Sequence, residues 1–297
     1  MRIDKRQNLP PLVKGIIYIL IATFAFAWMN LLARYLSELH PLQVVFFRAL
    51  GTFIFIFPFM VRKRIPILGK NVFWLSMRGV IGFISLAAFF IVIQRIPLGP
   101  AISIRYIGPF FSVILAVLFL KEKVKFWQWI SLLIAIAGVF ILKGADFRID
   151  GLSFVLALIS AVLVGGVFTM VRYLGPKEHA LTIINYFMVA SILGSLFFIG
   201  QWRMPIGQEW VWVSAIGVFG LVGQVFMTRA FQLAETNTIA PFKYMELVYA
   251  LILGFLFLNE EHTLIALIGM ALIIIGMVLN VLIKNRATKS QLDKEKL

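Results

Sequence analysis

Arg105 and Lys243 stand 138 positions apart in a strongly apolar chain, and tyrosine follows each: Arg105-Tyr106 and Lys243-Tyr244. A charged side chain inside an apolar run costs several kcal/mol unless it is paired or hydrated. Cations kept there at matched positions suit an anionic group handed from one to the other, or each lines a hydrated vestibule. Glu246 lies three residues after Lys243, on the same helical face. Three roles are open to it: an ion pair with Lys243, a proton-coupling carboxylate, or a counter-charge for a substrate amine. Arg48, flanked by Gly51 and Thr52, offers a planar fork to a carboxylate or phosphate, or to carbonyls freed by a broken neighbouring helix. Tyr106 and Tyr244 either touch substrate or fill an interface. Arg48, Arg105, Tyr106, Lys243, Tyr244 and Glu246 therefore form the candidate substrate-binding set.

Nothing else in the chain reads as catalysis or metal binding. Cysteine is absent, and His40, His179 and His262 fall in separate loops without ligand spacing. There is no phosphate-cradling Gly-Lys-Ser/Thr loop, so no cofactor is implied and ATP hydrolysis within the chain is not expected. Transport energy would come from a gradient or from exchange.

The elements that hold these residues are membrane spans. Of 297 residues, 61% are hydrophobic and only 14% charged, with a mean hydropathy of +0.97; a soluble domain is about one quarter charged. The apolar residues come in runs of about twenty, the length that crosses a hydrocarbon core. Ten spans follow, near 13–33, 42–61, 73–93, 98–120, 126–142, 151–171, 180–201, 210–231, 238–258 and 264–283. Pro97, Pro100 and Pro109 around the fourth, and Pro241 at the start of the ninth, predict broken or kinked helices. The basic N-terminal segment leads into the first run without a small-residue cleavage site, so that run is expected to stay as a helix.

The pairing of Arg105 with Lys243 belongs to a longer repeat. At the same offset Gly79, Gly82, Gln94 and Gly138 recur as Gly217, Gly220, Gln232 and Gly276, and Arg34-Tyr35-Leu36 recurs as Arg172-Tyr173-Leu174. Phe119-Leu120 and Glu122 likewise recur as Phe257-Leu258 and Glu260, two acids expected to tie helix ends to neighbouring groups. Internal duplication in so apolar a chain is the mark of a secondary transporter. Five spans per copy is odd, so the second copy enters the membrane inverted. The expected fold is all-α and integral to the membrane, ten transmembrane helices as two inverted five-helix repeats. Their bounds are 1–145 and 146–284, with a tail at 285–297.

The net charge of +15 follows the loops rather than a nucleic-acid face. With the N-terminus inside, about 20 Lys and Arg fall on the cytoplasmic side and about 5 outside, so both termini are expected in the cytoplasm. Arg78 and Arg229, near cytoplasmic ends, are expected to snorkel. The partners implied are a small-molecule substrate and the lipid bilayer, not nucleic acid, with a homodimer one oligomeric option.

The stretches Pro109-Phe110-Phe111 through Leu118-Phe119-Leu120-Lys121-Glu122, then Trp129 through Ala137-Gly138, resemble the EamA-type branch of the drug/metabolite transporter superfamily. So does the second copy, Tyr244 through Phe257-Leu258-Asn259-Glu260 to Gly269 and Gly276. His40-Pro41 to Phe46-Phe47-Arg48, with Arg78-Gly79, is similar to the S-adenosylmethionine transporter subgroup of its bacterial metabolite carriers. The resemblance implies a ten-helix carrier in the cytoplasmic membrane, its cavity lined by spans one, three, four, six, eight and nine. Ser131 departs from the family pattern where Gly269 follows it, which puts close packing of the fifth span in doubt. The expected function is secondary transport, by alternating access, of a small polar metabolite such as an amino acid, another carboxylate or a zwitterion. An S-adenosylmethionine- or vitamin-type uptake carrier is the alternative. An ion channel would need a selectivity loop, and a membrane-embedded lipid enzyme a surface cluster of Asp or His; neither pattern is present.

Overall fold

The computed structural model describes residues 10–120, 126–145, 149–174, 177–233 and 240–294. Among them all regular structure is helical, as a chain in lipid requires when it must satisfy its own backbone. The first half holds α1 (Pro11–Tyr35), α2 (Pro41–Arg62), α3 (Val72–Arg95), α4 (Leu98–Arg105), α5 (Gly108–Leu120) and α6 (Phe126–Ala145). The second holds α7 (Gly151–Leu174), α8 (Ala180–Leu196), α9 (Glu209–Leu233), a 3₁₀ turn (Ala240–Tyr244), α10 (Met245–Leu258) and α11 (Leu264–Lys294). Segments within α1, α2, α3, α7 and α9 are long and apolar enough to cross a membrane. Shorter apolar helices lie at Trp129–Lys143, Ala180–Leu196 and Leu264–Gly276.

Local chemistry sets the boundaries. Pro11 and Pro41 open α1 and α2, where a missing N–H costs nothing. His40 and His179 cap α2 and α8, accepting from the N–H of Leu42 and Leu181 at 3.3 and 3.2 Å. Asp150 caps α7 by accepting from the N–H and hydroxyl of Ser153. α10 stops at Asn259, whose φ of 51° is left-handed, a conformation its short polar side chain tolerates.

The fourth and ninth spans are both divided, and at matched residues. α4 gives way to α5 across Tyr106 and Ile107, because Pro109 has no N–H to offer the carbonyl of Arg105. The ninth span starts as a 3₁₀ turn that ends at Tyr244 and only then becomes α10. Counting α4 with α5 and the 3₁₀ turn with α10, the described residues form ten helices near the predicted places. Glu122 and the α5–α6 connection lie outside the described residues, as do the side chains of Ser112, Ala240 and Gln232.

Packing crosses between the halves. α1 lies on α9 and α3 on α7; α2 lies on α9 and α3 on α8; α1 lies on α10 and α5 on α7; α6 lies on α11. Small residues permit the close crossings. A Cβ on Gly51 would stand 2.7 Å from the Cα of Gly217, and one on Gly276 would stand 2.5 Å from the carbonyl oxygen of Ser131. Ser131 thus does not loosen the α6–α11 contact, because the closeness is set by the glycine facing its backbone. Phe89, Phe90, Leu31 and Ile93 are fully buried between helices, while Ile54, Phe55 and Phe59 on α2 and Phe255 on α10 point outward, as lipid contact demands.

Candidate functional site

The two helix breaks meet. The rings of Tyr106 and Tyr244 lie 5.1 Å apart, both buried. At a break the backbone has unspent carbonyls, and Tyr106 uses one: its hydroxyl is 3.0 Å from the carbonyl oxygen of Lys243. The same hydroxyl is 2.7 Å from Oε2 of Glu246, and Nδ2 of Asn30 donates to Oε1 at 3.0 Å. Glu246 is only 7% exposed, so these neutral donors are what make its burial tolerable. Three helical spans therefore converge on one carboxylate: α1, the α4–α5 break and α10.

Among the described residues no ion pair joins Lys243 to Glu246. The three-residue spacing permits that pair, but the turn ahead of α10 carries the ammonium elsewhere. Lys243 Nζ rests 4.6 Å from the centre of the Phe168 ring and 5.9 Å from that of Tyr106. Arg105 does the same with its Cζ 4.1 Å from the centre of Phe89. Both cations are half-buried and keep accessible surface. A ring face attracts a cation without consuming its N–H donors. The two matched cations thus reach the site with donors to spare, beside an acid that is already hydrogen-bonded.

Arg48 is buried at 3% exposure and lies within electrostatic range of Arg105 and Arg78. Its Nε points at the sulfur of Met29 at 3.2 Å, and its Nη1 has no partner. Neither a carboxylate nor a carbonyl holds it among the described residues. Arg78 corrects the expectation of snorkelling. It is 7% exposed, lies over the ring of Phe187 at 4.6 Å, and leaves Nε and Nη1 without partners. Its early position in α3 suggested the water interface, but its face of the helix turns toward α8. Arg229 is exposed.

Sequence reasoning also missed Asn30 and Phe187. An amide in the middle of an apolar run is a usable signal, and Asn30 is such a residue. Phe187 is one phenylalanine among 29 and carries no signal of its own. Glu260 acts as predicted for its class: both its oxygens accept from the N–H of Leu98, at 3.1 and 3.0 Å, holding the start of α4. Gln94 plays a similar part at the end of α1, donating to the carbonyls of Ala33, Leu36 and Leu39.

Comparison with known proteins gives the family of the chain. The model of the EamA-like transporter family matches twice, over residues 13–143 and 151–282. The pseudopaline exporter CntI of Pseudomonas aeruginosa is 30% identical over 272 residues, covering 90% of this chain and 95% of its own. The S-adenosylmethionine uptake transporter of Rickettsia conorii is 27% identical, covering 88% and 90%. Human solute carrier family 35 member G1 is 26% identical, covering 84% of this chain and 73% of its own. A chain of known crystal structure shares the fold with a TM-score of 0.65, at 18% identity over 93% of this chain and 98% of its own. The relatives are named as transporters rather than enzymes. With its family model spanning both halves and its apolar helices long enough to cross a bilayer, the chain is a membrane transporter and belongs to the EamA-like transporter family.

Proposed function

We propose that this transporter is a secondary carrier for a small polar organic metabolite with at least one anionic group, most simply an amino acid or similar zwitterion. The observation that carries the reading is the meeting of the two broken spans. Arg105 and Lys243, matched across the repeat, stand beside a buried Glu246 with N–H donors uncommitted. A substrate carboxylate would bind the cations and its amine would bind Glu246 or the aromatic rings. The relatives named for S-adenosylmethionine uptake and pseudopaline export support an organic solute while pointing in opposite directions of transport. An S-adenosylmethionine- or vitamin-type solute is the alternative within the same site.

In this reading residues 1–145 and 146–284 are inverted five-helix repeats, and transport proceeds by one rocking against the other. Exchange of helix partners supports it: α1 on α9 and α3 on α7 become each other under the 138-residue offset, as do α2 on α9 and α3 on α8. The chain would sit in the cytoplasmic membrane with both termini inside. Reconstituted protein should show saturable uptake of labelled amino acids or S-adenosylmethionine, accelerated by unlabelled solute inside the vesicle. Arg105→Ala or Lys243→Ala should abolish uptake with normal membrane insertion. An ungated ionic current instead would make the protein a channel, and full uptake in both variants would remove these residues from the site.

A further inference from the structure

We propose that Arg48 and Arg78 form a second anion subsite, so that the transported solute carries at least two acidic groups. The inference rests on the carrier reading and adds to it the charge of the cargo. Two helices, α2 and α3, deliver guanidinium groups onto one ring of α8. Arg78 Cζ is 4.6 Å and Arg48 Cζ is 5.5 Å from the centre of Phe187. Both side chains are more than nine-tenths buried, and Arg78 Nε, Arg78 Nη1 and Arg48 Nη1 have no hydrogen-bond partner. Two like charges brought this close repel, and among the described residues no carboxylate pairs with either. A ring face offsets part of the charge but cannot accept the ten N–H donors of two guanidiniums.

Space for them is built into both repeats. Gly82 and Gly220 are matched across the 138-residue offset. A Cβ on Gly82 would stand 3.2 Å from Arg78 Nη1, and one on Gly220 would stand 3.2 Å from Arg48 Cγ. Each glycine thus makes room for one arginine of the pair. A static bolt between helices would be expected to bond carbonyls or an acid; these groups bond neither and present forks suited to an oxyacid. The charges of Arg105 and Arg78 both act on Arg48, which ties this pair to the matched cations. Four cations, Arg48, Arg78, Arg105 and Lys243, are thus set against one acid of the candidate set, Glu246, which acts on Arg105 and Lys243. A zwitterion with a single carboxylate would leave most of that positive charge unanswered. A solute with two or more carboxylates, or a carboxylate and a phosphate, answers it.

Equilibrium binding to purified full-length protein tests the proposal with near-isosteric probes at matched ionic strength. The pairs are L-glutamate with L-glutamine, L-aspartate with L-asparagine, and O-phospho-L-serine with L-serine, read by isothermal titration. At least one acidic member should bind tenfold or more tightly than its neutral partner. The amino-acid and phosphoserine arms then tell a second carboxylate from a phosphate. Arg78→Gln should shrink that preference to threefold or less and leave the neutral member's affinity unchanged, and Arg78→Lys should keep an intermediate preference. Equal binding within every pair overturns the proposal, as does a Gln variant that keeps the preference or weakens both members alike. If Arg78→Gln does not fold, Arg78→Lys is read alone, and an undiminished preference overturns the proposal. Binding needs no turnover, so failure here leaves the carrier reading to stand or fall on trans-accelerated uptake.

Discussion

Glu246 shows how far a single residue's surroundings change its meaning. Its spacing from Lys243 suggested an ion pair, yet its oxygens are taken by the hydroxyl of Tyr106 and the amide of Asn30. Tyr106→Phe should therefore destabilise the protein by about 1.5–3 kcal/mol, the range for a hydrogen bond to a charged group. The same change made in a Glu246→Gln background should cost less, because the acceptor's charge has gone. Lys243→Met should cost well under the ~3–5 kcal/mol that follows breaking a buried ion pair, while abolishing uptake. Thermal unfolding of the three variants with uptake in the same preparations checks this. A Lys243→Met protein that unfolds as readily as a broken buried pair demands would restore the ion-pair reading. Replacing Lys243 by Arg should be milder than replacing Arg105 by Lys, because an ammonium cannot reproduce the fork. At this scale the repeat doubles the signal of Arg105, Tyr106, Lys243 and Tyr244, whereas Glu246, which falls on Gly108 in the other copy, is marked only by its spacing from Lys243. Arg78 stayed hidden because a charge near a helix start looks the same whether it faces water or a neighbouring helix.

At the scale of elements, the breaks were legible and their anchoring only partly so. Pro109 and Pro241 announced that two spans could not be continuous helices. They did not announce that both breaks fall beside matched tyrosines or that those tyrosines touch, since contact across the molecule leaves no local trace. Glu260 shows what fixes a broken helix in place: its carboxylate receives the first N–H of α4 from the far end of α10. Negative charge at a helix N-terminus is favoured by the helix dipole as well. Glu260→Ala should cost about 1.5–3 kcal/mol, and Glu260→Gln less, because an amide oxygen still accepts from Leu98. Thermal unfolding of both variants measures the difference. Equal behaviour of Ala and Gln would show that the anchoring lies elsewhere. The α6–α11 crossing was misjudged from Ser131 for a related reason: a serine keeps its backbone as approachable as a glycine when the partner residue supplies the missing volume.

For the whole molecule, the repeat carries the most weight, because one offset matches residues, helix breaks and helix partners together. In the proposed repeats of five spans each, corresponding loops open on opposite sides of the membrane. Lysine and arginine follow the same rule, falling mainly in alternate loops. The chain has no cysteine, so a single introduced thiol reports its own position without background. Cysteine in place of Ser37, in the turn after α1, should react with a membrane-impermeant maleimide in intact cells. Cysteine in place of Ser290, after the last apolar run, should react only once the membrane is opened. A third site at Ser37's repeat position, Gly175, should behave like Ser290, since inversion carries an outer loop onto an inner one. Labelling of Ser37 and Gly175 variants from the same side would end the inverted arrangement, and with it the rocking of one half against the other, while leaving the chain a transporter of its family.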